Sequence, residues 1–180
     1  ALPIYGISIL CPTRNRIDNI VRLLDSLDKT LSKNIPVEVL FYVDRDDKKT
    51  QLFLEKNEYS FFSGPSVNLT LAHNFLAIKS KYSIIFYAAD DLVFKTYNWD
   101  LIVASEFSSI DNPHYLLFPN DLSSNAGKIA THGFLHKDTM EMLGYLVPPI
   151  FPDYYSDTWL TKIFQFSNRL KYLEIGRAHV

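Results

Sequence analysis

Apolar residues recur along this chain at two different periods, and the alternation between them predicts the architecture. Tyr5 to Cys11 (YGISILC) is a short, β-branched apolar run that predicts a buried strand, broken by Pro12-Thr13-Arg14-Asn15-Arg16. From Ile17 the spacing turns helical, with Ile17, Ile20, Val21, Leu24 and Leu27 marking one amphipathic face. Pro36 introduces a second strand, Val37 to Val43, which ends at Asp44-Arg45-Asp46-Asp47, and a helix over about Thr50 to Lys56 follows. Tyr59 to Phe62 is a short strand closed by Gly64-Pro65, and Asn68 to Lys79 is helical by pattern. Tyr82 to Tyr87 then forms a buried strand that stops at Asp90 and Asp91, with an apolar step from Leu92 to Phe94 behind it.

Strand and helix thus alternate three times, which predicts an α/β domain with a parallel, doubly wound sheet. Right-handed crossovers place the C-terminal ends of the strands on one edge. Three polar clusters converge there: Thr13 to Arg16, Asp44 to Asp47, and Asp90 with Asp91. The second half is less regular. It predicts a helix from Trp99 to Phe107, a strand from His114 to Phe118, and a polar loop from Pro119 to Lys128. A strand over Ile129 to Leu135 and a short helix from Lys137 to Leu143, stopped by Gly144, come next. Pro148, Pro149 and Pro152 stiffen a loop before a helix from Tyr154 to Phe164, and a last strand begins near Leu170.

Composition narrows the class. The chain has 180 residues, 47% hydrophobic and 21% charged, with a net charge of -2, as expected of one globular domain. No apolar run approaches the ~20 residues of a membrane span, so none is expected. The near-neutral balance gives no nucleic-acid footprint. No signal peptide is visible, which leads us to expect a cytoplasmic protein, in which the NLT sequon at Asn68 is a chance match. The single cysteine, Cys11, excludes an internal disulfide and reads as a small buried hydrophobe. The 11 tyrosines and 13 phenylalanines suggest a well-filled core and sugar-stacking surfaces.

The last seven residues, 174–180, stand apart. Ile175 to Val180 back-translates naturally to ATC GGA AGA GCA CAC GTC, which with the end of a Glu174 codon reads as a common short-read sequencing adapter. We therefore expect one domain over residues 1–173 followed by an adapter-encoded tail, and set His179 aside as a ligand.

Two adjacent carboxylates at the end of a buried strand suggest a ligand site, because open α/β sheets bind ligands at that edge. Hard carboxylate oxygens suit Mg²⁺ or Mn²⁺, and those ions suit phosphates. A solvated acidic turn after a core strand has the same pattern.

Several segments in order carry a resemblance to a known family. ISILCPTRNR (Ile7 to Arg16), the Asp-rich turn at Asp44 to Asp47, LAHNFLA (Leu71 to Ala77) before YSIIFYAADD, and THGFLHKDTMEMLGYL followed by YYSDTW (Thr131 to Trp159) resemble family 2-like glycosyltransferases of the GT-A fold. The resemblance covers nearly the whole chain up to Leu173. It implies the nucleotide-diphospho-sugar transferase fold, a mostly parallel open sheet flanked by helices. It also implies an inverting chemistry in which a sugar passes from a UDP-, GDP- or dTDP-sugar to a glycan or other hydroxyl acceptor, with Mn²⁺ or Mg²⁺ assisting.

The resemblance also implies roles. Asp91 would be the metal carboxylate, and Asp90 would contact the metal or the donor ribose. Pro12 and Thr13 would form the turn under the nucleotide, Arg14 or Arg16 would pair with phosphate oxygens, and Asp44 would contact the nucleoside. Asp46 and Asp47 are expected at the loop surface. Asp157 would be the general base, with Tyr154, Tyr155 and Trp159 burying it in part and offering faces to a sugar. His132 and Gly133 would lie on the pyrophosphate or acceptor side with Trp159, and Asp153 beside Pro152 suits a helix cap. The family's further Asp two residues before Asp90 is Ala88 here, which thins the ion's ligand set. The His that often follows the last core strand is not reached before the suspected adapter, so an incomplete and impaired chain is expected. A non-catalytic nucleotide- or glycan-binding module of the same fold is the alternative. A nucleotidyltransferase is disfavoured because PTRNR contains no glycine.

Overall fold

The computed structural model describes residues 5–122 and 126–179, the last three as backbone only; residues 123–125 of the expected 119–128 loop, and Val180, lie outside it. The first half follows the expected alternation: β1 (Ile7–Thr13), α1 (Ile17–Thr30), β2 (Val37–Asp44), α2 (Lys48–Lys56), β3 (Phe61–Gly64), α3 (Leu69–Lys79) and β4 (Ile84–Tyr87). Then come β5 (Leu92–Phe94), α4 (Trp99–Ser109), β6 (Leu116–Asn120), β7 (Gly133–His136), α5 (Lys137–Leu143), α6 (Ser156–Phe166) and β8 (Leu170–His179).

The strands form one sheet in the order β3-β2-β1-β4-β7-β6-β8-β5. β1 pairs in parallel with β2 and β4, and β2 with β3. β7 enters antiparallel between β4 and β6, while β8 returns parallel to β6. The fold is therefore α/β with a mostly parallel sheet, and only β7 and β5 run against the rest.

Period-two alternation explains why the central strands are apolar on both faces. Ile7, Ile9 and Cys11 of β1, Phe41 and Val43 of β2, and Ile84 and Phe86 of β4 pack on one side, against Ile20, Leu23 and Leu27 of α1. Leu10, Leu40, Tyr42, Ile85 and Tyr87 face the other side, against Ala72, Leu76 and Ala77 of α3. The buried stripe of α1 is slightly rotated from expectation, for Val21 is 39% exposed and Leu23 is fully buried.

Two strands differ from the sequence pattern. The apolar step from Leu92 to Phe94 is a strand, β5, whose partner is the far end of β8, with Leu92 opposite His179 and Phe94 opposite Arg177. β7 starts at Gly133 and not at Ile129, because the preceding backbone is satisfied sideways. The Ala130 N–H donates to Thr161 Oγ1 at 2.9 Å, and its carbonyl accepts from Tyr87 Oη at 2.9 Å. Gly133 itself has no room for a side chain: a Cβ would lie 2.6 Å from Leu116 Cδ1 and 3.1 Å from the Leu117 carbonyl oxygen.

α3 ties the two halves together. Asn68 caps it by accepting from Leu71 N at 2.9 Å. The Leu69 N–H donates to Asp153 Oδ1 at 3.1 Å, and Thr70 N and Oγ1 donate to the carbonyls of Pro152 and Phe151. Asp153 is thus a cap as expected, but of α3, and α6 is entered through Tyr155 at φ 66°. Asn74 Oδ1 accepts from Leu146 N and Val147 N at 2.8 and 3.0 Å, and its Nδ2 donates to the Val147 carbonyl at 2.8 Å. Asn74→Ala would leave three partly buried backbone groups unpaired. We expect it to cost about 2 kcal/mol, read as a lower urea midpoint with an unchanged slope.

Candidate functional site

The exits of β1, β2 and β4 lie side by side on one sheet edge, and a cleft of about 340 Å³ opens there. Pro12, Thr13, Arg14, Arg16, Asp44 and Asp90 all line it, so the six expected nucleotide-side residues are brought together. Tyr42, Ser66, Val67, Leu69 and Ala72 complete the walls. Those five were not anticipated, since they come from the β3–α3 connection and from inward positions of otherwise ordinary elements.

Asp90 is 2% exposed and held on both oxygens. Oδ2 accepts from Thr13 Oγ1 at 2.7 Å, while Oδ1 accepts from Arg16 Nη1 and Asn19 Nδ2, each at 3.2 Å. A buried carboxylate needs such donors. Arg22 donates to Asn19 Oδ1, which orients the Asn19 amide with its NH₂ toward Asp90. Asn19 escaped the sequence reading; its only signal is its place one turn after Arg16 at the start of α1.

The second cluster closes on Arg14. Its guanidinium donates to Asp44, through Nη1, and to Asp46, through Nη2 at 2.7 Å. The Asp44 hydrogen bond and the Asp46 charge raise the Arg14 pKa further, so this group stays protonated. Asp46 is at the surface as expected, but Asp47 is not: it is 4% exposed. Asp47 caps α2 by accepting from Thr50 N at 3.2 Å and also takes the Asn15 amide at 2.6 Å. Burial works to raise its pKa, but these donors and the Arg14 charge bring it below the ordinary carboxylate value.

The exit of β4 is pinned by two histidines. His73 of α3 donates through Nε2 to the Ala88 carbonyl at 2.8 Å, and His132 donates through Nδ1 to the Tyr87 carbonyl at 3.0 Å. The Ala88 N–H donates to Leu10 O at 2.9 Å, so both backbone groups of this residue are fixed just before Asp90. Burial lowers the His73 pKa to about 4, against the opposing pull of its carbonyl partners. Cys11 lies beneath the turn, where burial, then the charges of Asp90 and Asp91, push its thiol well above the ordinary value. It stays a neutral core side chain.

Asp157 sits in the first turn of α6, half-buried, with Thr158 N donating to its Oδ1 at 2.6 Å. One turn later Thr161 binds Ala130, two residues before His132, and Asp153 binds the amide of cleft-lining Leu69. These ties place the start of α6 on the same sheet edge as the cleft. Tyr154 and Tyr155 are themselves 79% and 72% exposed, and Tyr155 has a left-handed backbone, φ 66°, just before the helix. Trp159 is packed against Tyr145 and Phe151, with ring centroids 5.9 and 6.5 Å away.

The ion that the fold implies can be tested against these donors. Ala88 offers no ligand, both Asp90 oxygens are engaged, and no three His, Cys, Asp or Glu side chains among the described residues are grouped to hold a metal. Asp91, half-buried next to Asp90, remains the candidate carboxylate. That set fits an ion arriving with substrate phosphates, as Mg²⁺ commonly does, and does not fit a resident ion in an all-protein cage. No helix among the described residues is long and apolar enough to cross a membrane.

No family model matches this chain, and no curated protein matches it in sequence. Solved structures do match in shape. S. aureus TarS, a glycosyltransferase, superposes as its 1–349 fragment with a TM-score of 0.70 at 17% identity, over 97% of this chain and 60% of that one. A structure of TarS gives 0.67 at 16% identity, over 97% of this chain and 36% of that one. The TarS 1–349 complex with UDP gives 0.67 at 17% identity, over 94% and 58%. This chain spans about 60% or less of the length of each. At this identity the likeness establishes the fold alone: an α/β domain with the architecture of these TarS structures.

Proposed function

We propose that this chain moves a sugar from a nucleotide-diphosphate sugar to an acceptor hydroxyl, with inversion at the anomeric carbon. The observation that supports it best is the gathering of Pro12, Thr13, Arg14, Arg16, Asp44 and Asp90 around one cleft at the C-terminal edge of the parallel strands. A cleft with two arginines and two buried carboxylates suits a ligand that is anionic at one end and rich in N–H and O–H donors at the other. The nucleoside lies against Pro12, Thr13 and Asp44, and the diphosphate lies toward the arginines. Donor candidates are UDP-, GDP- and dTDP-sugars.

In the transfer, the acceptor O–H attacks the anomeric carbon as the bond to the diphosphate oxygen breaks and the nucleoside diphosphate leaves with the electron pair. Asp157 takes the acceptor's proton. A Mg²⁺ or Mn²⁺ bound through Asp91 and the substrate phosphates would offset the charge on the departing diphosphate. His132, Gly133 and Trp159 belong to the acceptor or pyrophosphate side in this reading, which keeps the expected cytoplasmic location. The acceptor is a glycan or another hydroxyl compound.

Calorimetric titration with UDP and GDP, with and without Mn²⁺, tests the reading. We expect saturable binding of one of them at a single site, weakened in Asp44→Ala. Binding of neither nucleotide would overturn it. Binding without turnover, across a screen of donors and acceptors, would instead favour a non-catalytic module.

A further inference from the structure

We propose that Asp90 anchors Arg16, and that the anchored guanidinium, not an ion held by Asp90, meets the donor's diphosphate. The inference rests on the nucleotide-sugar reading and assigns its charge-neutralising group. Asp90 is almost sealed from solvent, and three donors already occupy its two oxygens: Thr13 Oγ1, Arg16 Nη1 and Asn19 Nδ2. A carboxylate has about four lone-pair positions, so these three donors leave about one, on a group only 2% exposed, and little of Asp90 is open to an ion. Arg16 is placed in the opposite way. Its side chain is 60% exposed and lines the cleft. A guanidinium carries five N–H donors in a planar fork, and the hydrogen bond to Asp90 uses one, which leaves the rest of the fork to bind phosphate oxygens.

Two features hold the guanidinium in position. Asn19 shares Oδ1 with Arg16 and is itself oriented by Arg22, so the carboxylate that receives Arg16 cannot rotate without losing several contacts. Arg16 also occupies the N-cap position of the 14-residue α1, whose helix dipole adds positive potential on the same side. Asp90 is then a positioning residue and Arg16 a binding residue.

The test is calorimetric titration of the protein with UDP or GDP, whichever binds, in EDTA and again in Mn²⁺. It compares wild type with R16A, R16K, D90N and the R16A/D90N double variant, and uses the matching nucleoside as a phosphate-free probe. The wild type is expected to bind the nucleoside diphosphate in EDTA. R16A and D90N should each weaken that binding by about 10- to 100-fold, the range for charge-assisted hydrogen bonds. The loss should be the same in Mn²⁺, nucleoside affinity should not change, R16K should recover part of the affinity, and the double variant should be no weaker than R16A. The proposal is overturned if the wild type binds only with Mn²⁺, if D90N loses affinity only in Mn²⁺, or if R16A binds like wild type. Should D90N not fold, the solvent-exposed R16A and R16K carry the comparison alone. No binding by the wild type in either buffer would sink the nucleotide-sugar reading itself, whereas binding that ignores Arg16 sinks only this inference.

Discussion

Asp157→Asn is expected to lower turnover by about 10²- to 10⁴-fold, the usual contribution of a positioned general base. Asparagine keeps the size of the side chain and can still accept from Thr158, so α6 should start as before. It cannot take a proton from the acceptor hydroxyl. The change should therefore fall on kcat, with nucleotide affinity left within about twofold, because Asp157 is not among the residues that line the cleft proposed for the nucleotide. Initial rates of nucleoside diphosphate release, measured with the donor and acceptor that support turnover, check it. Full activity in the variant would remove Asp157 from the reaction.

The second large effect is on stability. His73 is buried and neutral, with its pKa lowered to about 4, while in the unfolded chain it titrates near the ordinary value of about 6.5. Between those two pH values the unfolded chain binds a proton that the folded chain refuses, so stability falls as pH drops through the window. Above it the contribution is fully present, and below about pH 4 there is nothing further to lose. The shift corresponds to roughly 3 kcal/mol at about 1.36 kcal/mol per pKa unit. His136, half-buried and also lowered by burial, acts in the same direction. Urea unfolding at pH 7 and pH 4 should show wild type losing roughly 3 kcal/mol more than His73→Gln, whose amide can still donate to Ala88. Equal losses in the two proteins would mean that His73 is protonated in the folded state.

The alternation of β1, α1, β2 and α3 was legible because each carries several periods of its own pattern, with Pro12, Pro36 and Gly64-Pro65 as breaks. β5 was not, since three residues hold a single period and the partner strand lies about 85 positions away. The same limit applies to side chains. The cluster DRDD reads as a charged surface, yet Asp44 and Asp47 are both buried, and Asp47 is so because it takes the Asn15 amide and caps α2. Asp153 looked like a cap because of its neighbours, yet the amide it accepts belongs to a helix 84 residues earlier. Asp44 and Asp90 could be placed at the sheet edge from strand ends alone. The arginine that each one holds, and Asn19, follow from side-chain geometry that strand and helix periods do not encode.

The tether between Asp153 and the first turn of α3 also has a meaning for how the chain assembles. Everything that lines the cleft lies within the first 90 residues, and β3, β2, β1 and β4 can pair as soon as those have been made. One wall, however, starts at Leu69, whose amide waits for a partner from much later in synthesis. Closing so long a segment is slow compared with local pairing. The emerging chain would thus possess a sheet and its polar edge before it possesses a finished pocket, and tight nucleotide binding would become a late event, a sign that the second half has docked.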